Sequence, residues 1–343
     1  MLANGSASVK IQVAGSSSHR NVGNVDCSLL RSAALTDSSF DRKPSMSYPR
    51  TIVLTSLAMV AFASNSLLCR IALRQTSIDA ASFTTIRLIS GALMLWLIVH
   101  VRHGTGTGGG NWLSAFALFA YAAGFSFAYA SLPTATGALL LFGAVQTTMI
   151  GYGIWTGERL KSLQPVGLVL ALAGLVGLLL PGISAPPLSG SMLMLGAGVA
   201  WGVYSLRGKG AGDPSRVTAG NFMRAGPLAG ALSVLMFRST TVDHTGSWYA
   251  VSSGALASGI GYVIWYTALP ALKAVNAATV QLCVPVIAAL GGIAFLGEPV
   301  TLRLALASAA ILGGIAMVIV PSNGSGTANS IRRRSTQKVI SAK

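Results

Sequence analysis

Ser82-Phe83-Thr84-Thr85-Ile86-Arg87-Leu88-Ile89-Ser90 sets polar side chains and a full positive charge inside an otherwise apolar run. A companion, Asn221-Phe222-Met223-Arg224, stands 137 residues further on. An arginine within a membrane-length segment is costly and therefore rare. Two at matching places point to a repeated structure built around a solute pathway.

Outward from these stretches the composition agrees. The chain has 343 residues, of which 52% are hydrophobic and only 9% charged, with a mean hydropathy of +0.65. So few charges cannot cover a soluble globule of this size, which places the chain in the membrane class. The formal charge of +16 would suggest nucleic acid to a soluble protein. Here the bases collect in tails and short loops, so they read as topology signals, with membrane lipids and no nucleic acid as the expected surroundings. Cys27, Cys69 and Cys283 are isolated, and the four histidines lack companions at ligand spacing. Neither a disulfide framework nor a metal or cofactor site is expected.

From Thr51 the chain reads as ten apolar segments, near 51–72, 79–101, 112–132, 135–156, 163–181, 189–208, 217–237, 247–269, 275–296 and 301–320. Each is close to the ~20 residues that cross a bilayer core as a helix. Breakers such as Leu132-Pro133, Gly212-Asp213-Pro214 and Leu269-Pro270 separate them. Residues 1–48 carry ten serines within the first 45 positions and no sustained apolar period, which predicts a disordered, polar, basic tail. A transit peptide and a start upstream of a true Met46 are competing readings, and the acids in the tail weigh against the first. Residues 322–343 form a second basic tail. Leaving both tails aside, seven loop bases fall on one side and four on the other, so the positive-inside rule puts both termini in the cytoplasm.

At the 137-residue offset Arg70 meets Arg207, Thr84 meets Asn221, Arg87 meets Arg224 and Tyr129 meets Tyr266. Three residues are then added, and Gly157-Glu158 meets Gly297-Glu298, while Gly174 meets Gly314. Each repeat spans five segments, 51–181 and 189–321. An odd number of crossings makes the second copy enter from the other face, so the fold class is all-α integral membrane, with ten transmembrane helices as two inverted five-helix repeats.

The duplicated arginine of the second segment, the Gly-Glu closing the fourth and the glycine-rich fifth together resemble the drug/metabolite transporter superfamily in its EamA-type branch. The likeness covers residues 51–321. It departs from an even repeat at Pro285, where the first half has Val145. The resemblance implies a bundle in which the first four helices of each half surround a solute cavity. The fifth and tenth helices then lie at the edge, where such proteins form homodimer contacts.

Candidate solute-binding residues follow from polarity and helical spacing. Thr84 and Arg87 share a face, as do Asn221 and Arg224. The first helix of each half supplies Asn65, then Trp201 and Tyr204. Tyr129, Gln146, Tyr262, Tyr266 and Gln281 complete the set. For each polar group, interhelical hydrogen bonding is the competing role, and for the arginines a clamp on helix carbonyls or snorkelling to the nearer surface. Trp96, Trp112, Trp155 and Trp248 stand near segment ends as interface anchors. All eight acids lie in tails, loops or segment ends, and Glu158 and Glu298 read as caps of the helices that follow them. Two arginines and no midplane carboxylate favour an anionic or zwitterionic small-molecule solute.

The expected function is therefore secondary transport of small polar solutes, amino acids or related metabolites, chiefly export across the cell membrane. Alternatives are an organellar-type exchanger of phosphorylated or nucleotide-linked solutes and a membrane scaffold without transport. Nothing in the sequence has the constellation of a membrane enzyme, such as paired aspartates or His-Glu-x-x-His.

Overall fold

The computed structural model describes residues 48–103, 109–157, 163–180, 182, 185–208, 213–272 and 280–319. Within them the regular structure is helical: α1 (Tyr48–Gln75), α2 (Ala80–His103), α3 (Trp112–Tyr129), α4 (Thr134–Trp155) and α5 (Gln164–Leu179) form the first half. The second comprises α6 (Leu188–Gly208), α7 (Pro214–Leu235), a composite α8, α9 (Cys283–Leu296) and α10 (Leu302–Ile319). Helix α8 is α-helical over His244–Val251, π-helical over Ser252–Ile260 and α-helical again over Gly261–Ala268. The helices coincide with the apolar segments to within a few residues, except that the ninth is described as a helix only from Cys283. Pro285 lies in its first turn, where a missing N–H is harmless. The two tails and Glu158 lie outside the described residues.

Local chemistry sets the helix starts. Asp79 accepts from the amides of Ala81 and Ser82 at 2.9 and 3.0 Å and opens α2. Asn111 accepts from Ser114 N at 2.9 Å and opens α3. Asp213, followed by Pro214, opens α7 by accepting from Ser215 and Arg216 amides at 2.8 and 3.2 Å. Each side chain satisfies amides that the first helical turn leaves without partners. Helix α4 starts after Pro133 with no cap of its own, and Glu298 Oε2 accepts from its Thr134 N at 2.7 Å. Glu298 thus caps a helix, but α4 of the other half instead of α10, because Gly297 in the left-handed region (φ 62°) swings the chain away from α9.

Apolar side chains face outward: Val53, Leu57, Leu93, Leu97, Phe116 and Leu290 are exposed. Inside lie Asn65, Ser66, Arg70, Thr84, Arg87, Ser126 and Asn221 among the small and aromatic residues. That distribution belongs to a protein solvated by lipid. By length and composition, Tyr48–Gln75, Ala80–Arg102, Trp112–Tyr129 and Thr134–Trp155 can cross a bilayer; Gln164–Leu179, Cys283–Leu296 and Leu302–Val318 are shorter apolar helices. Trp96, Trp112, Trp155 and Trp248 are all exposed near helix ends.

Packing joins the halves throughout. Helix α1 lies against α8 and α9, α6 against α3 and α4, α2 against α7 and the π segment, and α5 against α10. Glycine makes the closest approaches possible. A Cβ at Gly198 would stand 2.6 Å from Ala144 Cβ on α4, and one at Gly174 would stand 2.8 Å from Ala310 Cβ on α10. The α6 glycine pair Gly198 and Gly202 is therefore used for packing within the chain.

Candidate functional site

The site grows from Arg87, which is 2% exposed. Its Nη2 donates to the Tyr121 hydroxyl at 3.1 Å, and its guanidinium carbon lies 5.3 and 4.9 Å from the ring centres of Tyr121 and Phe125. Tyr121 and Phe125 are four residues apart on α3, so both rings face α2 from adjacent turns. Arg87 Nη1 has no hydrogen-bond partner among the described residues, and no carboxylate there pairs with this side chain. A desolvated cation costs several kcal/mol. Ring faces and one hydroxyl offset only part of that cost.

Polar contacts extend from Tyr121 to two further helices. Asn65 Nδ2 on α1 donates to the same hydroxyl at 3.3 Å, and Ser253 Oγ donates to Asn65 Oδ1 at 2.5 Å. Ser253 belongs to the π segment, which approaches α2 so closely that a Cβ on Gly254 would overlap the Arg87 carbonyl oxygen and Ser90 Oγ. A π turn carries one more residue per hydrogen-bonded ring than an α turn, which shifts the side chains that follow it around the helix axis. Ser258, at the end of the segment, is buried, and its Oγ has no partner among the described residues.

Between these groups is a cavity of about 30 Å³. Its lining includes Asn65, Ser66, Ser258 and Gln281 as polar groups, with Tyr121, Trp201 and Tyr262 as aromatic walls. Trp201 joins the walls, its ring centre lying 4.8 Å from that of Tyr121 and 5.3 Å from that of Tyr262. Offset and tilted contacts at such distances hold aromatic side chains in fixed orientations.

Of the candidates named from sequence, Asn65, Trp201, Tyr262 and Gln281 line this cavity, and Arg87 lies behind Tyr121 and Phe125 in its wall. Thr84, Tyr129, Gln146, Tyr204, Asn221, Arg224 and Tyr266 are not in its lining. Thr84 Oγ1 bonds back to Ala80 O at 2.7 Å, and the Tyr129 hydroxyl donates to Thr134 O at 3.3 Å. Gln146 is buried on α4, Tyr204 stacks on Trp201, and Tyr266 packs against the core. Arg224 does not mirror Arg87: its Nη1 donates to Gly109 O and Gly220 O at 2.8 and 2.9 Å. Asn221 Oδ1 accepts from Asn111 N at 2.9 Å in the same junction, beside Gly110 at φ 81°. Phe62, Phe125, Ser253 and Ser258 were not among the candidates; for Phe125, the four-residue spacing of Tyr121, Phe125 and Tyr129 is the signal that marks them as one stripe.

Two tied junctions lie at opposite ends of α3, whose 18 residues span about 27 Å. At the C-terminal end, Arg70 Nη1 donates to Tyr129 O and Ala130 O at 2.8 and 3.3 Å, while its Nε donates to Glu298 Oε1 at 3.2 Å. At the N-terminal end, Arg207 donates through Nε to Ser114 Oγ and through Nη2 to Asn111 Oδ1, both at 3.2 Å, and the Arg224 clamp closes over Gly109.

Comparison with known proteins matches this architecture. Residues 188–320 fit the EamA-like transporter family. An uncharacterized protein of Pseudomonas aeruginosa, PA1977, is 55% identical over 276 residues, covering 80% of this chain and 96% of that protein. The threonine/homoserine exporter RhtA of Salmonella typhimurium (strain SL1344) is 29% identical over 192 residues, 50% of this chain and 63% of the exporter. A solved crystal structure aligns with a TM-score of 0.58 at 20% identity, covering 79% of this chain and 98% of that one, a likeness of fold. The chain belongs to the EamA-like transporter family and is an integral membrane transporter, not an enzyme.

Proposed function

We propose that the chain is a secondary transporter exporting small polar organic solutes, amino acids or related metabolites, by alternating access across the cell membrane. The reading takes ten crossings in two inverted repeats, 51–181 and 189–321, with both termini cytoplasmic. Helix pairings support it: exchanging the halves turns the α1 contacts with α8 and α9 into those of α6 with α3 and α4. The pairs α2–α7, α4–α9 and α5–α10 map onto themselves. The outer faces of α5 and α10, which expose Val169, Val176 and Leu306, are where a homodimer would form.

One observation carries the solute class. Arg87 is a buried cation whose Nη1 has no partner among the described residues, set behind a cavity edged by Asn65, Ser66, Ser258 and Gln281. A solute carboxylate would supply the missing charge and acceptor. The amino or hydroxyl groups of the same solute would meet the amide and hydroxyl side chains. The named activity of RhtA, export of threonine and homoserine, is of this chemistry. At about 30 Å³ the cavity has room for water and not for an amino acid. With both ends of α3 tied, this is the closed stage between two open ones, and solute entry requires one junction to part. Asn65, Arg87, Tyr121, Trp201, Ser258, Tyr262 and Gln281 would then meet the solute. Thr84, Tyr129, Gln146, Tyr204, Asn221, Arg224 and Tyr266 would support the frame.

The test is flux from proteoliposomes loaded with labelled threonine, homoserine and a panel of other amino acids. Release of at least one of them above protein-free vesicles is expected. Folded, correctly inserted protein that moves none of them would sink the reading.

A further inference from the structure

A second, larger opening lies away from the central cavity, at the C-terminal end of α3. Its volume is about 420 Å³, and Arg70, Arg74, Gln75, Pro133, Leu296, Gly297, Glu298 and Pro299 form its walls. Arg70 and Arg74 are one helical turn apart on α1, so both present guanidinium groups to the same opening. Glu298 answers only one of them. It holds Arg70 through Nε, the Arg70 Nη1 is taken up by two carbonyls, and Nη2 has no bond among the described residues. Arg74 is exposed and has neither a hydrogen bond nor an ion pair there. Among the described residues the walls therefore carry two cations against one carboxylate, and the space left exceeds what a small organic anion needs.

We propose that this opening is an anion-binding vestibule that takes the carboxylate of a small organic acid or zwitterion between Arg70 Nη2 and the Arg74 guanidinium. Arg70 already shows the required chemistry, because Glu298 is a carboxylate bound to it at 3.2 Å. A bound carboxylate competes with Glu298 for Arg70 and so weakens the tie between α1 and the end of α9. The inference is independent of the solute assigned to the central cavity, and it is read by binding alone.

The experiment titrates purified full-length protein with 3,3,3-trifluoropropionate and, separately, with 3,3,3-trifluoropropionamide, followed by fluorine NMR line broadening. Saturable broadening is expected for the carboxylate and not for the amide. Arg74→Gln should weaken it by about tenfold, the loss of one charge-assisted hydrogen bond. Arg74→Lys should restore most of it, and Arg102→Gln, at an exposed base that does not line the opening, should leave it unchanged. Arg74 is exposed, so its variants fold. The proposal is overturned if the amide binds as well as the carboxylate, if Arg74→Gln binds like wild type, or if Arg102→Gln weakens the signal as much as Arg74→Gln does.

Discussion

Arg70 Nε lies 3.2 Å from Glu298 Oε1, joining the last turns of α1 to the end of α9 across 228 positions of sequence. Most of each side chain is buried, with exposures of 6% and 14%. Glu298 also accepts from Thr134 N. Removing the carboxylate strands a buried guanidinium and uncaps α4, so Glu298→Ala should destabilise the protein by about 3 kcal/mol. Glu298→Gln keeps an acceptor for Thr134 N and should cost less. Thermal unfolding in detergent checks the order; equal midpoints for both variants and wild type would remove the tie.

Tyr121 holds Arg87 and Asn65 through one hydroxyl. Tyr121→Phe keeps the ring stack with Trp201 but leaves two buried donors unpaired. A loss of about 2 kcal/mol in stability is expected, together with weaker solute binding. Fluorescence-monitored unfolding and a binding titration read the two effects separately.

Glycines on α7 and α8 should respond oppositely to a methyl group. A Cβ at Gly254 has no room against the Arg87 backbone, whereas one at Gly230 meets nothing within 4 Å. Gly254→Ala should push the π segment off α2 and lower the unfolding midpoint sharply. Gly230→Ala should raise stability by up to about 1 kcal/mol through helix propensity.

Asp79 ties the α1–α2 turn to the α7–α8 turn, accepting from Thr241 N at 2.9 Å as well as capping α2. Burial raises its pKa, but hydrogen bonds from Ser82, Thr241 and Ala81 outweigh it and hold the carboxyl below its ordinary value. The stability it contributes is thus complete above the unfolded-state pKa of about 3.9 and is lost as pH falls through the lower folded value. The unfolding midpoints of wild type and Asp79→Asn should differ by a constant amount from pH 7 down to about 5 and converge only in stronger acid. A gap that closes near neutrality would contradict the assignment.

Helix positions were legible because each apolar segment is bounded by an Asp, Asn, Pro or Gly whose local chemistry ends or starts a helix; Asn111, Asp213 and Pro133 all act this way. The arginine-bearing stretches were equally visible, and the difference between them was not. Arg87 faces aromatic rings on α3, while Arg224 meets the carbonyl of Gly109. Nothing within Asn221-Phe222-Met223-Arg224 distinguishes the two, since the difference lies in what the neighbouring segment presents. The π segment was hidden for a related reason: Ser252–Ile260 is a run of small residues compatible with an ordinary α-helix, and its contacts, with Asn65 and the Arg87 backbone, lie on helices far away in sequence. Glu298 was readable as a cap, but the helix it caps is 164 positions away.

On the proposed reading Arg87, and not Arg224, faces the solute. The most direct measurement compares export of the accepted amino acid by wild type, Arg87→Gln and Arg224→Gln in the same proteoliposomes, at matched insertion and with folding verified. Arg87→Gln should lose tenfold or more in flux at low solute concentration, the cost of about one charge-assisted hydrogen bond, while Arg224→Gln stays within about threefold of wild type. Unchanged flux in Arg87→Gln would contradict the account.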